Sequence, residues 1–580
     1  MSSMKDAIKF GGRSLTAVVC ALALTACSQE RAIYADVIYI DGNIITVNDA
    51  QPSAQAIAIK DGLILAIGKS VELRKYKGIK TKVYDLDDKT VVPGFVDAHS
   101  HFGGVGMQAV VANLLPAPDG AVNNIKELQA ILRSYIASSP IVKNYNVAIG
   151  FNYDDSQLAE KRHPTRHDLD AISTSIPIAI MHQSGHLGVY NSKALELMGI
   201  SAETEDPPGG VIEREADGKT PNGVMQENAH FGIFFKLIPA FTEIDMLSLV
   251  KAGEHSYVSN GFTTVQDGKT DLASLETLPQ IASTTGFDVD LVAYADIATI
   301  GSAPILHGDL MSLEYTNGFR IGGVKITLDG SPQGKTAWFT EPYLQVPNGQ
   351  ADDYLGYPAF TDAEATKWIE LAFTNKWPLL VHANGDAAID QLIEIVGNID
   401  PTLRDYDHRT VMIHGQFTRK DQVLKLKSLG IFPALYPMHT FYWGDWHRDS
   451  VAGVERAENI SPTGWFLEQG MRFTIHSDAP VTFPNSMRIL DSAVNRTTRT
   501  NAILGVEHKI TPLQALKAMT LWSAYQHFEE GIKGSLEVGK QADMVILDKD
   551  PLSVTVSMIK DIQVLETINN GKSIYVADND

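Results

Sequence analysis

The sequence is poor in cysteine and in positive charge for its length. Two cysteines occur among 580 residues, and Lys and Arg number 48 against 69 Asp and Glu, giving a formal net charge of −21. This charge excludes a nucleic-acid partner that needs a basic footprint and repels polyanionic substrates at long range. The content of 44% hydrophobic and 20% charged residues is ordinary for a soluble globular protein. The length exceeds one compact core, so we expect several domains or one large enzyme domain with additions.

The apolar run near the N-terminus is too short to cross a bilayer as a helix. Residues 15–26 form a run of 12 residues, whereas a spanning helix needs about 20. The run follows three basic residues and ends in Leu24-Thr25-Ala26-Cys27, which resembles a bacterial lipobox. We therefore expect residues 1–26 to be a lipoprotein signal peptide and Cys27 to carry a lipid anchor, with a plain secretory signal as the alternative. Because Ser28 rather than Asp follows, the expected location is the periplasmic side of the bacterial outer membrane.

The mature chain would contain no disulfide bond. The other cysteine, Cys20, lies inside the expected signal peptide and is removed with it. Even in an oxidising compartment, stability must therefore come from packing and from bound metal.

Strand-like apolar runs alternate with helical patterns through the middle of the chain. Such alternation, with polar residues at the strand ends, is typical of a barrel whose site lies at the C-terminal ends of its strands. The strand-like runs that end in polar residues are 263–267, 323–327, 379–382, 410–414 and 473–478, and helical patterns include 362–375, 387–396 and 421–429.

We predict an α/β fold, a (β/α)8 TIM-like barrel over residues 91–530 with a small β-sandwich built from both chain ends, 27–90 and 531–580. Short β-like runs at both ends support the sandwich, and Asp61-Gly62 between two of them is a hairpin signal. Residues 104–250 exceed what one strand–helix unit needs, so we expect an inserted capping subdomain there.

Residues 91–101, Val-Val-Pro-Gly-Phe-Val-Asp-Ala-His-Ser-His, form a β-like run that ends in two histidines. Side chains two apart on a strand point to the same face, so His99 and His101 would converge. Neutral imidazole is a common ligand of transition metals, and two on one face make half of a zinc-type site. A chance pair is the alternative in a chain with 17 histidines.

Three further candidate ligands stand at the ends of strand-like runs. His382 and His414 are each the first polar residue after an apolar run, where a lone histidine is more often a core or capping group. Asp478 offers a carboxylate that can ligate a metal and accept a proton, or alternatively caps a helix. We expect His476 to lie beside the ligands rather than among them.

Lys325 lies in the apolar run 321–327, where a charged ammonium is costly unless it is paired. Burial favours the neutral amine, which near divalent cations can add CO2 and form a bridging carbamate. The alternative is an ion pair with Asp329 or another acid.

These segments resemble the amidohydrolase superfamily. Residues 91–101 are similar to its first barrel strand, and Gly-Ser-Leu-Glu-Val-Gly-Lys-Gln-Ala-Asp at 534–543 to its returning β-segment. The resemblance extends from about residue 32 to residue 575 and is strongest to the YtcJ-like branch, which includes N-substituted formamide deformylases. Further segments that carry it are Val324-Lys325 with 329–331, His382 to Ala388, His414-Gly415-Gln416, 477–480, 182–186, 191–195 and 209–214.

The resemblance implies a site with two divalent metal ions, most commonly zinc, that share a bridging hydroxide. That hydroxide would attack a carbonyl carbon, and Asp478 would move the proton from the nucleophile to the departing amine. The implied activity is that of an amidohydrolase acting on carbon–nitrogen bonds other than peptide bonds, with a small-molecule amide as substrate. One ion would be held by His99, His101, carboxylated Lys325 and Asp478, and the other by Lys325, His382 and His414.

Candidate substrate residues are less distinct in the sequence. His186, Glu227 and Trp338 are expected at the rim, where each has a structural role as its alternative. An aromatic-rich segment at 436–447 is either core or a surface for an apolar or aryl group.

Two other functions remain open from the sequence. The same site suits an esterase, lactonase or carbamate hydrolase, because the hydroxide attacks any activated carbonyl. A surface lipoprotein that binds a ligand without catalysis is the alternative from another class. Whether the chain forms a homodimer is also open, since no stretch indicates an interface.

Overall fold

The computed structural model describes residues 33–347 and 349–578. The expected signal peptide and lipid-bearing Cys27 therefore lie outside the described residues. Within these two ranges, no helix is both long enough and apolar enough to cross a membrane.

Eight parallel strands form one sheet in chain order, and we name them barrel strands 1 to 8. The two edges of this sheet meet just beyond strands 1 and 8. There the His101 N–H donates to Ala479 O at 2.7 Å, and the Asp478 N–H donates to His99 O at 3.2 Å. The architecture is an α/β barrel of the TIM type. The strands are Phe95–Val96, Phe262–Thr270, Asp290–Asp296, Phe319–Thr327, Leu379–Ala383, Val411–His414, Phe432–Leu435 and Thr474–Ile475.

Side chains along the barrel strands alternate between two cores. Val292, Leu380 and Ile413 belong to a cluster of their own, whereas Val381 and Met412 belong to the large cluster that includes the helices. This alternation follows from the period of two in a strand. It places every second side chain in the barrel interior, which is where strands 4 and 5 carry Lys325 and His382. His414 follows the interior residue Ile413 and departs from the alternation, with φ 72°.

Helices connect most of the strands. Those predicted at 362–375, 387–396 and 421–429 are confirmed as Asp362–Asn375, Asp386–Asn398 and Lys420–Ser428. The other α-helices are Ser70–Leu73, Phe102–Gln108, Ile125–Ser138, Pro140–Tyr145, Arg166–Asp170, Ser192–Leu197, Asn228–Leu237, Glu243–Val258, Leu272–Thr285, Ile297–Ile300, Pro401–Arg404, Met438–Trp446, Gly453–Ala457, Thr463–Glu468, Ser486–Asn495, Pro512–Met519 and Leu521–Gln526.

Strands from both chain ends form two sheets outside the barrel. One contains Leu63–Gly68, Ala56–Lys60, Val37–Ile40 and Lys82–Asp85 in that order. The other contains Lys572–Val576, Val564–Asn569, Met544–Leu547, Thr90–Pro93, Asn43–Ile45 and Ser53–Ala54. Residues of both sheets share one apolar core. The predicted Asp-Gly hairpin is confirmed, because Asp61 and Gly62 both have positive φ between paired Lys60 and Leu63.

The long segment between barrel strands 1 and 2 has a six-stranded sheet of its own. Its order is Gly210–Arg214, Pro221–Glu227, Leu187–Tyr190, Ile178–His182, Ala148–Tyr153 and Ala112–Asn113. Two apolar clusters lie in this segment, so it has its own cores.

The run 91–101 does not form one strand that carries both histidines. Thr90–Pro93 pairs with Met544–Leu547 in the terminal sheet, and Phe95–Val96 starts the barrel. Gly94 separates them at a point where a Cβ would lie 2.4 Å from Thr263 Oγ1. His99 and His101 follow the barrel strand rather than extend it.

A buried histidine between two aspartates stabilises the end of the inserted sheet. His182 Nε2 lies 3.0 Å from Asp155 Oδ1 and 3.8 Å from Asp154 Oδ1. Burial acts to lower the pKa of His182, but hydrogen bonds and charges of the two aspartates outweigh it and raise the pKa to about 9. The Trp443 Nε1–H donates to Asp154 Oδ2 at 2.8 Å, so the cluster also joins the insertion to the barrel.

We predict that His182 stabilises the fold below neutral pH and less so in base. A pKa raised from 6.5 to about 9 on folding gives stability that is complete below about 6.5 and lost as the pH rises through about 9. The unfolding midpoint of His182→Gln should therefore lie furthest below wild type at pH 6 and approach it at pH 10. Asp155→Asn should weaken the same pH dependence. If the unfolding midpoint of His182→Gln differed from that of wild type by the same amount from pH 6 to pH 10, the raised pKa of His182 would be contradicted.

Candidate metal centre

Six residues predicted as ligands meet at the C-terminal ends of the barrel strands. His99 and His101 follow strand 1, Lys325 lies on strand 4, His382 and His414 on strands 5 and 6, and Asp478 follows strand 8. Ligand atoms of His99, His414 and Asp478 all lie within 4.8 Å of one another. The ring centroids of His382 and His414 are 4.5 Å apart.

Two imidazole nitrogens and one carboxylate oxygen converge on the strand 1 side. His99 Nε2 and His101 Nε2 each lie 3.4 Å from Asp478 Oδ1. That oxygen is buried without a hydrogen-bond partner among the described residues. Gln266 Nε2 donates to Ala98 O, which leaves Gln266 Oε1 to accept from His99 Nδ1–H at 2.6 Å. His99 Nε2 therefore presents its lone pair to the site.

A second pair of nitrogens faces each other across the site. His382 Nδ1 lies 3.1 Å from His414 Nε2. His382 Nε2 lies 3.2 Å from Gly330 O, and a proton held there leaves Nδ1 free to bind a cation. Burial, followed by nearby positive groups, keeps the pKa of both histidines well below the usual value. Both imidazoles are therefore neutral and able to act as ligands.

Lys325 is buried beside these ligands. Its Nζ lies 2.9 Å from His99 Nε2. Burial lowers its pKa to about 7, although the charge of Asp478 opposes this change. Asp329 is not its ion-pair partner, because that carboxylate accepts backbone N–H groups of Trp338, Asn384 and Gly385. The ion-pair alternative for Lys325 and Asp329 is therefore wrong.

Asp478 and His476 follow the short eighth strand in irregular backbone. Asp478 has φ 54°. The next helix, Ser486–Asn495, is capped by Asn485, so the helix-capping alternative for Asp478 is wrong. The His476 ring stacks on Tyr436 at 4.8 Å and lies 5.4 Å from the His99 ring. It thus lies beside the candidate ligands.

The donor set fits divalent cations. Neutral imidazoles, a carboxylate and a lysine of lowered pKa are grouped in a buried site, and nitrogen and oxygen ligands of these types bind divalent cations. The unpartnered Asp478 Oδ1 supplies an anionic ligand for such a cation.

Two of the three candidate substrate residues, His186 and Glu227, lie in the insertion beside this group, and Trp338 follows barrel strand 4. His186 Nδ1 lies 2.8 Å from Glu227 Oε2, and the His186 ring centroid is 5.6 Å from that of His382. Glu227 Oε1 has no hydrogen-bond partner among the described residues. Trp338 is half-buried, and its backbone N–H donates to Asp329.

The aromatic segment is mainly packed between the barrel and the insertion. Phe441 and Trp446 are half-buried, and the other members are buried, which fits the packing alternative. Tyr442 Oη–H donates to Asp119 Oδ2 at 2.5 Å, and Trp443 Nε1–H likewise donates to Asp154. The buried members are Tyr436, His439, Tyr442, Trp443 and His447.

Sequence reasoning missed two supporting residues. Gln266 orients His99, and Asp329 joins the loops after strands 4 and 5 through three backbone N–H groups. The available signal was a single amide or carboxyl group at the end of an apolar run. That signal does not reveal which ligand the group contacts.

The chain is similar to known proteins over most of its length. It is 27% identical to the N-substituted formamide deformylase of Arthrobacter pascens, over 93% of this chain and 98% of that protein. It is 25% identical to the putative amidohydrolase YtcJ of Bacillus subtilis (strain 168), over 93% of this chain and 99% of that protein.

A solved structure has the same fold. An uncharacterized metal-dependent hydrolase from Pyrococcus horikoshii OT3 superimposes with a TM-score of 0.69 at 23% identity, covering 90% of this chain and 99% of that one. The model of the amidohydrolase family matches residues 82–575. With the barrel and the grouped ligands, this match identifies the protein as a member of the amidohydrolase family.

Proposed function

We propose that this hydrolase uses two divalent metal ions to cleave an amide-type carbon–nitrogen bond, other than a peptide bond, in a small molecule. The observation that carries the proposal is the convergence of four imidazoles, one lysine and one carboxylate in a single buried site. The proposed ligands are His99, His101, Lys325 and Asp478 for one ion, and Lys325, His382 and His414 for the other.

The ions would supply Lewis acidity and a water of lowered pKa, and zinc suits this set of nitrogen and oxygen ligands. The protein would supply the proton transfers. Asp478 Oδ1 faces the His99 and His101 nitrogens. We assign it the role of accepting the proton of the attacking water and returning it to the leaving amine. Two backbone hydrogen bonds support the unusual conformation of Asp478: its N–H donates to His99 O, and the Val481 N–H donates to Asp478 O.

Lys325 would act as a carbamate. The neutral amine forms an N–C bond to CO2 and releases one proton, which gives a carboxylate that can bridge two cations. Burial and a pKa near 7 favour the neutral amine that this step requires. Its Nζ lies 2.9 Å from His99 Nε2, and its strand pairs with the strand that carries His382, which supports a bridging role.

The inserted sheet is proposed to cap the site and to contribute substrate contacts. His186 beside His382, Glu227 with one free carboxylate oxygen, and Trp338 are the proposed contacts. The terminal sheets are proposed to form the β-sandwich that supports the barrel from outside.

The choice of a carbon–nitrogen bond rests on the chemistry of Asp478 and on the deformylase relative. An amine leaves readily only after protonation, and a carboxylate that has just accepted a proton can provide it. The relative's name describes a deformylase of N-substituted formamides. Ester or lactone hydrolysis on the same site is tested by the panel below.

We predict that zinc-loaded protein hydrolyses N-formyl or N-acyl amides faster than cyclic amides and lactones, and that Lys325→Ala loses metal and turnover together. Lys325→Glu should retain part of the metal, because it restores a carboxylate. Metal content by elemental analysis and amine release over the substrate panel provide the measurements. A Lys325→Ala protein that remains metal-replete and active would contradict the carbamate, and preferential lactone cleavage would contradict the bond assignment.

We predict that Gln266→Leu weakens metal binding by about 10- to 100-fold, because His99 loses the acceptor that fixes its tautomer. Chelator competition with zinc measures the affinity. Gln391→Leu is the matched control, since Gln391 is a buried glutamine that instead bonds Phe360 O and Asp362. Equal affinities of the two variants would show that Gln266 does not orient a ligand.

For location, we propose the lipid-anchored state at the periplasmic side of the outer membrane. We predict that Cys27→Ser moves the protein from the detergent-soluble membrane fraction to the soluble fraction and abolishes incorporation of labelled palmitate. Cys20→Ser is the control, because the removed segment contains that cysteine. Retention of label in Cys27→Ser would exclude this anchor.

A further inference from the structure

Barrel strand 2 ends directly over the proposed metal centre. A Cβ at Gly268 would lie 2.5 Å from the His99 ring, so the strand backbone touches that ligand. The pairing register shifts between Gly268 and Thr270, and the intervening Lys269 has φ 82° and is exposed. This irregularity directs the Lys269 side chain outward at the mouth of the site. The sequence pattern does not distinguish Lys269 from other surface lysines.

A chain of rings connects Lys269 with the candidate ligands. Lys269 Nζ lies 5.1 Å from the centroid of the Phe231 ring. The Phe231 ring is 6.0 Å from the His186 ring, which is 5.6 Å from the His382 ring. The ammonium group is therefore at the outer end of a path that begins at the metal ligands. Its charge also contributes to the lowered pKa of both Lys325 and His382.

Nearby carboxylates have partners other than Lys269. Asp267 accepts from Gly103 N–H and Thr270 Oγ1–H, Asp271 caps the following helix, and Glu227 pairs with His186. Over residues 33–347 and 349–578, no acidic group lies within 4.0 Å of Lys269 Nζ and no hydrogen-bond acceptor contacts it. The cation is held against an aromatic face and remains free to bind an anion.

We propose that Lys269 binds a carboxylate of the substrate, with Phe231 packing against the adjoining apolar part. This inference rests on the proposed function, which supplies the reason for a substrate to enter the site. A single ammonium without a neighbouring arginine suits a singly charged carboxylate better than a phosphate, which usually recruits several donors. Because the whole chain carries a charge of −21, an anionic substrate needs a local cation at the entrance.

The test uses two probes without a hydrolysable bond, 3-phenylpropionate and its neutral counterpart 3-phenylpropanol. Calorimetric titration of the zinc-loaded full chain should give an affinity at least about tenfold higher for the acid, as one charge-assisted hydrogen bond provides. Lys269→Met should lose most of this preference, and Lys269→Glu should reverse it. Both variants should keep the wild-type unfolding midpoint, because the side chain is exposed.

Lys376→Met is the matched control. Lys376 also has positive φ, at 55°, and its Nζ lies 5.7 Å from the Tyr406 ring, but it precedes barrel strand 5 at the opposite end of the barrel. This variant should retain the full preference for the acid. Equal affinities of the two probes in wild type, or a preference that survives in Lys269→Met, would overturn the proposal. Since neither probe is cleaved, this outcome is independent of whether the amide substrates are hydrolysed.

Discussion

Crowding of potential metal ligands in a buried space is the constraint on which the site depends. His382 Nδ1 and His414 Nε2 face each other at 3.1 Å, and His99 Nε2 and His101 Nε2 both approach one unpartnered carboxylate oxygen. Burial keeps His99, His382 and His414 from gaining protons, since it holds their pKa values well below the usual range. Burial disfavours protonation of these imidazoles, whereas a divalent cation can bind their nitrogens and the Asp478 carboxylate together.

The barrel provides this arrangement because its strands end at one rim and its two edges join there. The backbone bonds from His101 to Ala479 and from Asp478 to His99 connect the segments after the first and last strands. The same bonds that complete the barrel therefore bring two histidines to the aspartate. The insertion then places His186 and Phe231 beside this rim. Fold and site consequently share their supporting interactions.

Much of the fold and of the site could be predicted, because a polar residue after an apolar run marks the end of a buried strand in the sequence. The apolar runs before His382 and His414 gave their positions on strands 5 and 6, and the helix predicted over 362–375 agrees with the structure at both ends. Membership of the amidohydrolase family was evident from ordered motifs. The division of residues 91–96 between two sheets was not predictable, because it depends on Gly94 packing against Thr263 from a distant strand.

Supporting residues escaped prediction because their roles arise only from three-dimensional neighbours. Gln266 orients His99 across 167 positions of sequence. Lys269 differs from other lysines through a local register shift and through Phe231, which comes from another element. The aromatic segment at 436–447 was ambiguous by composition, and its contacts with Asp119 and Asp154 identify it as packing.

The most direct measurement is a crystal structure of the zinc-loaded chain, with anomalous data recorded on both sides of the zinc absorption edge. The account predicts two anomalous peaks, one among His99, His101 and Asp478 and one between His382 and His414, with density for a carboxylate on Lys325 Nζ contacting both. An unmodified Lys325, with no anomalous peak within coordination distance of these residues, would contradict it.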